Sequence, residues 1–92
     1  MTAEQTSELT EALTRRHETR IEQLTTLFES EGGLAIFDLA TKVLGDALSA
    51  ADWLTDSHFG LNGAIPAVAA LDADGSEAVR AYLHQIEYGV YV

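Results

Sequence analysis

"LAIFDLATKVLG", Leu34 to Gly45, is the stretch that decides the fold. Wound at the helical period, Leu34, Ile36, Phe37, Leu39, Ala40, Val43 and Leu44 cover most of the circumference of a cylinder. An amphipathic surface helix carries its apolar residues on one stripe, whereas a helix this apolar belongs inside a core and needs other elements around it. The punctuation beyond it supplies them. Gly45 suits a left-handed C-terminal cap, and Asp46 can then cap the next helix, "ALSAADWLT", through its carboxylate, so two helices meet at a tight corner.

"DSHFGLNG", residues 56–63, reads as a loop from its turn-forming residues, and Pro66 fits the first position of a short helix, "PAVAAL", where a missing N–H costs nothing. "DADGS" ends that helix and opens the last. Asp72 is its expected N-cap, Tyr88 its expected end, and Val79, Tyr82, Leu83 and Ile86 form its apolar face. No stretch before the C-terminal tail alternates cleanly at period two, which excludes a sheet as the organising element. The fold class that follows is all-α: a small bundle of four to five helices with a long N-terminal helix and a short apolar C-terminal tail.

The long helix is expected from about Thr2 to Ser30, as one piece or two short ones, with apolar residues at Leu9, Leu13, Ile21, Leu24, Leu27 and Phe28. Thr2 and Gln5 have the form of a capping box, and Gly32-Gly33 is the expected stop. Its middle, "TRRHETR", holds three of the five basic residues, with His17 in the stripe between Leu13 and Ile21. Two readings stay open. One is a solvated helix laced by pairs such as Glu11–Arg15 and Glu18–Arg16. The other is a helix that pairs with a second copy of itself through Leu13, Ile21, Leu24 and Phe28. The expected division is therefore residues 1–31 as an amphipathic helix, a candidate for dimerisation, and residues 32–92 as a folded domain.

Ninety-two residues with 47% hydrophobic content suffice for one core and argue against disorder despite a net charge of -10. Fifteen acidic residues against five basic ones make phosphate neutralisation a poor main task, so neither DNA nor an anionic membrane is an expected partner. Positive or mixed protein surfaces are instead steered toward such a chain. The absence of cysteine excludes a disulfide framework and a thiolate nucleophile. The start "MTAEQTSELTEAL" lacks the basic and apolar segments of a signal peptide, which makes the cytoplasm the expected location.

Catalytic and cofactor chemistry finds no constellation to stand on. Asp56, Ser57 and His58 have the residue types of a hydrolytic triad, yet consecutive side chains do not converge in the required geometry, and they read as a polar turn. His17, His58 and His84 fall on separate elements without metal-ligand spacing. "DADGSE" mimics the middle of a calcium loop, but in that register Ala70 and Ala81 stand where the first and last carboxylates belong. The expectation is a non-enzymatic protein without cofactor or metal.

The informative end is "IEYGVYV", Ile86 to Val92, an apolar finish to an acidic chain. Gly89 is placed to stop the helix in a left-handed conformation, leaving Val90, Tyr91 and Val92 either projecting as a plug or folded back on Tyr82 and Ile86. Together with "WL" at Trp53-Leu54, the polar loop after it and "LNGAIP" at Leu61 to Pro66, this ending resembles the toxin-binding domain at the C-terminus of the Xre, MbcA and ParS antitoxins. There the equivalent stretch commonly reads W-L, a turn, L-G-G-x-x-P and finally I-E-Y-G-V-Y-A. The resemblance runs from about Leu34 to Val92.

What the resemblance implies is a type II antitoxin whose partner is a RES-domain toxin, an enzyme that destroys NAD, with the last residues of the antitoxin occluding the NAD cleft. By motif match those residues are Glu87, Tyr88, Gly89, Val90, Tyr91 and Val92. It also implies a homodimer. A cleft shaped for aromatic rings and pyrophosphate suits tyrosines and carboxylates. Three departures accompany the match. Residues 1–31 are too short for the helix-turn-helix of full-length Xre members, so direct DNA binding is not expected. Ile65 stands where the family often has a capping Thr or Ser, and Val92 replaces a terminal Ala. An alternative function is an oligomerising helical module without a toxin partner, in which the long first helix pairs chains and the tail belongs to the core.

Overall fold

A computed structural model of the chain describes residues 2–89. Five α-helices follow one another: α1 (Ala3–Phe28), α2 (Glu31–Leu44), α3 (Ala47–Leu54), α4 (Pro66–Ala69) and α5 (Ala73–Tyr88), with a 3-10 turn at Phe59–Leu61 between α3 and α4. Among the described residues no strand forms, and the single β-bridge joins His58 to Ala64. The all-α expectation holds, and no described helix is long and apolar enough to cross a membrane.

The caps explain where most of these helices start and stop. Thr2 and Gln5 close a reciprocal capping box, Asp46 accepts the Ser49 N–H at 2.7 Å, and Asp72 accepts the Gly75 N–H at 2.6 Å, each satisfying an otherwise orphaned donor. Gly45 ends α2 with φ 101°, a conformation that disfavours any side chain. Ile65 offers no capping side chain to α4, which starts on Pro66 instead.

Asp46 also predicts a pH response. The Ser49 backbone N–H, and then its hydroxyl, hold the carboxylate below its ordinary value of 3.8. A carboxylate whose pKa falls on folding stabilises the native state above its unfolded pKa, and that contribution is lost as the pH drops through the lower folded value. The Asp46→Asn variant, which retains an acceptor without the charge, is expected to melt with a flatter dependence on pH below about 4. Identical acid limbs in thermal melts of both proteins would remove this role.

The core lies between α2, α3 and α5, closed by α4 and the C-terminal end of α1. Leu27, Ile36, Ala40, Ala50, Leu54, Ala67, Val79 and Leu83 are all buried, one or more from every α-helix. Phe37, Leu39, Val43 and Trp53 pack around them half-buried. Leu34 departs from the expectation: it is 46% exposed, because α2 is covered on the sides facing α3, α5 and α1 and open on the remaining one.

The glycine pair does not end α1. The helix stops at Phe28, Ser30 caps α2 by accepting the Gly33 N–H at 2.9 Å, and both glycines belong to the first turn of α2. Gly33 is buried against α1: a Cβ there would overlap the Leu27 carbonyl oxygen, a backbone atom that cannot rotate away. Gly33 thus permits two helices to approach, while a Cβ at Gly32 would meet open space. Gly33→Ala is expected to lower stability by about 1–3 kcal/mol, since the overpacking outweighs the better helix propensity of Ala. That corresponds to a fall of roughly 4 °C or more in Tm for a chain this size, measurable by circular dichroism. An unchanged or raised Tm would mean that the contact relaxes without cost.

Toward its N-terminus α1 runs free. Every residue from Thr2 to Thr19 is exposed, and only the last part of the helix is bedded on α2 and α4. Among the described residues neither Glu11–Arg15 nor Glu18–Arg16 pairs; the ion pairs present are Arg20–Asp56, Lys42–Glu87 and His84–Glu87. Arg16 and Glu18 are two positions apart and point to different sides of a helix, which is why that pair fails.

Candidate functional site

Three features cluster around α5 and the turn that packs on it. The first is the end of α5. Gly89 caps it in the left-handed conformation, φ 68°, with its N–H donating to the Ile86 carbonyl at 3.3 Å, so the helix stops at this glycine as expected. Just before it, Tyr88 is 72% exposed and stacks on His84, ring centroids 6.2 Å apart and 14° from parallel. Glu87 is half-buried beside Lys42, 3.9 Å away on α2, and His84, 3.6 Å away. It therefore ties α5 to α2 while Tyr88 faces outward. Val90, Tyr91 and Val92 lie outside the described residues, and so does any contact they make with Tyr82 and Ile86.

The second feature is an aromatic cluster that the sequence did not announce. Trp53 at the end of α3 stacks on His58 at 4.6 Å between ring centres, and Tyr82 of α5 closes on both, at 5.8 Å from Trp53 and 6.2 Å from His58. His58 Nε2 lies 2.6 Å from the Trp53 carbonyl oxygen; a carbonyl only accepts, so Nε2 carries the proton. The cluster anchors the loop 56–64 onto α5. Gly60 is required at that junction, since a Cβ would sit 2.6 Å from Cζ of Tyr82.

This arrangement also disposes of the triad-like run. Asp56 points away to Arg20 of α1, at 2.5 Å, His58 is committed to Trp53, and Ser57 is exposed between them. Their side chains diverge, as their adjacency in sequence implies. Arg20 additionally donates to Thr55 Oγ1 at 3.4 Å, so α1 is clamped to the C-terminal end of α3. Beside this clamp runs an open trough of about 330 Å³ between α1 and the loop, lined in part by Arg16, Thr19, Ser57 and Ile65. Its wall includes Gln23, whose Oε1 is buried without a partner. Among the described residues no group of His, Asp or Glu is placed to hold a metal ion.

The third feature is Phe59, 99% exposed at the tip of the 3-10 turn. Sequence reasoning passed over it as part of a polar loop. The available signal was an aromatic residue between His58 and Gly60, flanked by turn formers on both sides.

The residues named for self-pairing are split by the fold. Leu13 and Ile21 are 50% and 51% exposed, joined by Leu9 at 50%, while Leu24 packs half-buried against the core and Phe28 meets Phe37 edge-on at 4.9 Å.

Comparison with known proteins bears on this end of the molecule. A family model described as the antitoxin Xre/MbcA/ParS C-terminal toxin-binding domain matches residues 39–89, more than half of the chain. Neither curated proteins nor solved structures yield a significant match. The matched span starts inside α2, takes in the Trp53 cluster, the Phe59 turn and Pro66, and ends on the Gly89 cap. With the features of the antitoxin domain occurring in that order on one folded unit, the chain belongs to the Xre/MbcA/ParS antitoxin family through its C-terminal toxin-binding domain.

Proposed function

We propose that this chain is the antitoxin of a type II toxin–antitoxin pair, acting in the cytoplasm as an inhibitor rather than a catalyst. Its partner is a RES-domain toxin that degrades NAD, neutralised when residues 87–92 enter the nucleotide cleft. The observation that carries the reading is the end of α5: the helix stops at Gly89 in a left-handed cap, directly after an exposed Tyr88. Tyrosine rings suit a pocket shaped for nicotinamide and adenine, and valines on either side of Tyr91 exclude water from it. Glu87, held by Lys42, sets the orientation of the last helical turn as it docks.

The net charge of -10 supports the same partner class, since a pyrophosphate-binding cleft is rimmed by cations that attract an acidic protein. Titrating the purified chain into a RES-domain NAD-degrading enzyme, its proposed partner, while following NAD consumption, is the direct test. Turnover falling to zero near stoichiometric antitoxin is the expected result; undiminished consumption overturns the proposal.

A second element of the reading is self-pairing through α1. The free helical segment from Thr2 to Thr19, with Leu9 and Leu13 open to solvent, supports a homodimer in which two such helices cover each other. Pairing would add buried area to a core of modest size.

A further inference from the structure

We propose that Phe59 is a second anchor for the toxin, docking in an apolar pocket on the toxin surface outside its nucleotide cleft. The inference rests on the antitoxin reading and adds a contact point that the C-terminal tail does not provide. A single exposed apolar residue is ordinary on a soluble protein. What distinguishes this one is how firmly an exposed ring is held out.

The turn that carries Phe59 is fastened from both sides. His58 N–H donates to the Ala64 carbonyl at 3.2 Å, and the His58 carbonyl accepts from Leu61 at 3.0 Å and Gly63 at 2.9 Å. The Phe59 carbonyl accepts from Asn62 at 3.0 Å, Asn62 itself standing at φ 57°, a left-handed conformation for a residue with a side chain. Below the tip, His58 is stacked on Trp53 and Gly60 is pressed against Tyr82. The neighbours on either side of Phe59 are thus locked inward while its own ring is 99% exposed. With its backbone fixed in advance, such an aromatic gives up only side-chain freedom on binding, and buried aromatics dominate the energetics of interfaces.

Two observations select the toxin as occupant rather than a second copy of this chain. Phe59 lies within the span matched by the toxin-binding domain, and its turn is seated on α5, the helix that delivers the tail. Tyr82, against which the turn packs, precedes Gly89 by seven residues, a rise of about 10 Å along α5, so the turn and the end of the helix are carried by one element. Charge points the same way. Residues 39–89 hold seven carboxylates and only two Lys or Arg, Lys42 and Arg80, so two such surfaces repel each other and favour a partner with a basic rim.

The test uses the full chain and the RES-domain enzyme proposed as its partner, with affinity read by calorimetry and inhibition by NAD consumption. Phe59→Ser is expected to weaken binding by about thirty-fold or more, as loss of an aromatic hot spot does. Inhibition should still become complete at saturation, because the tail is intact. Phe59→Leu, which keeps an apolar side chain, should recover part of the affinity, and both variants should melt like the parent. Wild-type affinity in Phe59→Ser, with the parent binding normally, overturns the inference and leaves the antitoxin reading standing. Weakened self-association in sedimentation with unchanged toxin affinity overturns it in favour of a second copy, and a lowered Tm assigns Phe59 to the fold instead. If the parent chain fails to bind the enzyme, the antitoxin reading and this inference fall together.

Discussion

A chain shortened to end at Gly89 is expected to lose inhibition of the NAD-degrading partner, requiring at least about 100-fold more antitoxin for the same effect, while its Tm stays within about 2 °C of the parent. The separation of the two readouts follows from the structure. Among the described residues every fully buried side chain lies at or before Leu83, and α5 completes its own termination at Gly89 through the bond from its N–H to the Ile86 carbonyl. Removing Val90, Tyr91 and Val92 leaves that core and that cap in place. The functional loss follows from the proposed plug: three residues filling a nucleotide cleft exclude both substrate and water, and a central aromatic such as Tyr91 commonly contributes about 2 kcal/mol or more. Preserved inhibition with a lowered Tm would reverse the assignment and make the tail part of the fold.

Ile36→Asp is expected to unfold the protein at room temperature. Ile36 is completely buried in the middle of α2, with α3, α5 and α1 packed around that helix. A carboxylate there has neither water nor a cation, and protonating it still leaves buried polar atoms unpaired, at a cost of several kcal/mol in addition to the lost apolar packing. A domain of this size holds only about 5–15 kcal/mol in total. The same change at Leu39 is expected to be milder, because Leu39 is only half-buried and its carboxylate could reach solvent. Far-UV circular dichroism checks both; a cooperative melt for Ile36→Asp near the parental Tm would contradict the core described above.

These expectations differ in how far they could be read from the chain alone. Helix class, helix order and most boundaries depend on residues within four positions of one another. Thr2 with Gln5, Asp46 with Ser49, Asp72 with Gly75 and the left-handed Gly45 and Gly89 are all such local relations, and each was legible. The motif that identifies the family is equally local in each of its parts.

Three things required the tertiary structure. Gly32-Gly33 looked like a stop because glycine is a poor helix former, yet its role depends on Leu27 of another helix coming close enough to forbid a Cβ. Arg20 could have served any of several carboxylates along α1; it pairs with Asp56, thirty-six positions away, because the end of α3 is folded against it. Phe59 and Leu34, apolar in sequence, are exposed because no neighbouring element covers them, while Trp53, His58 and Tyr82 meet from three elements. Short-range sterics and hydrogen bonding act along the chain and are written in adjacent letters. Burial and long-range pairing depend on which surfaces face each other after collapse, a property of the assembled bundle that no single segment contains.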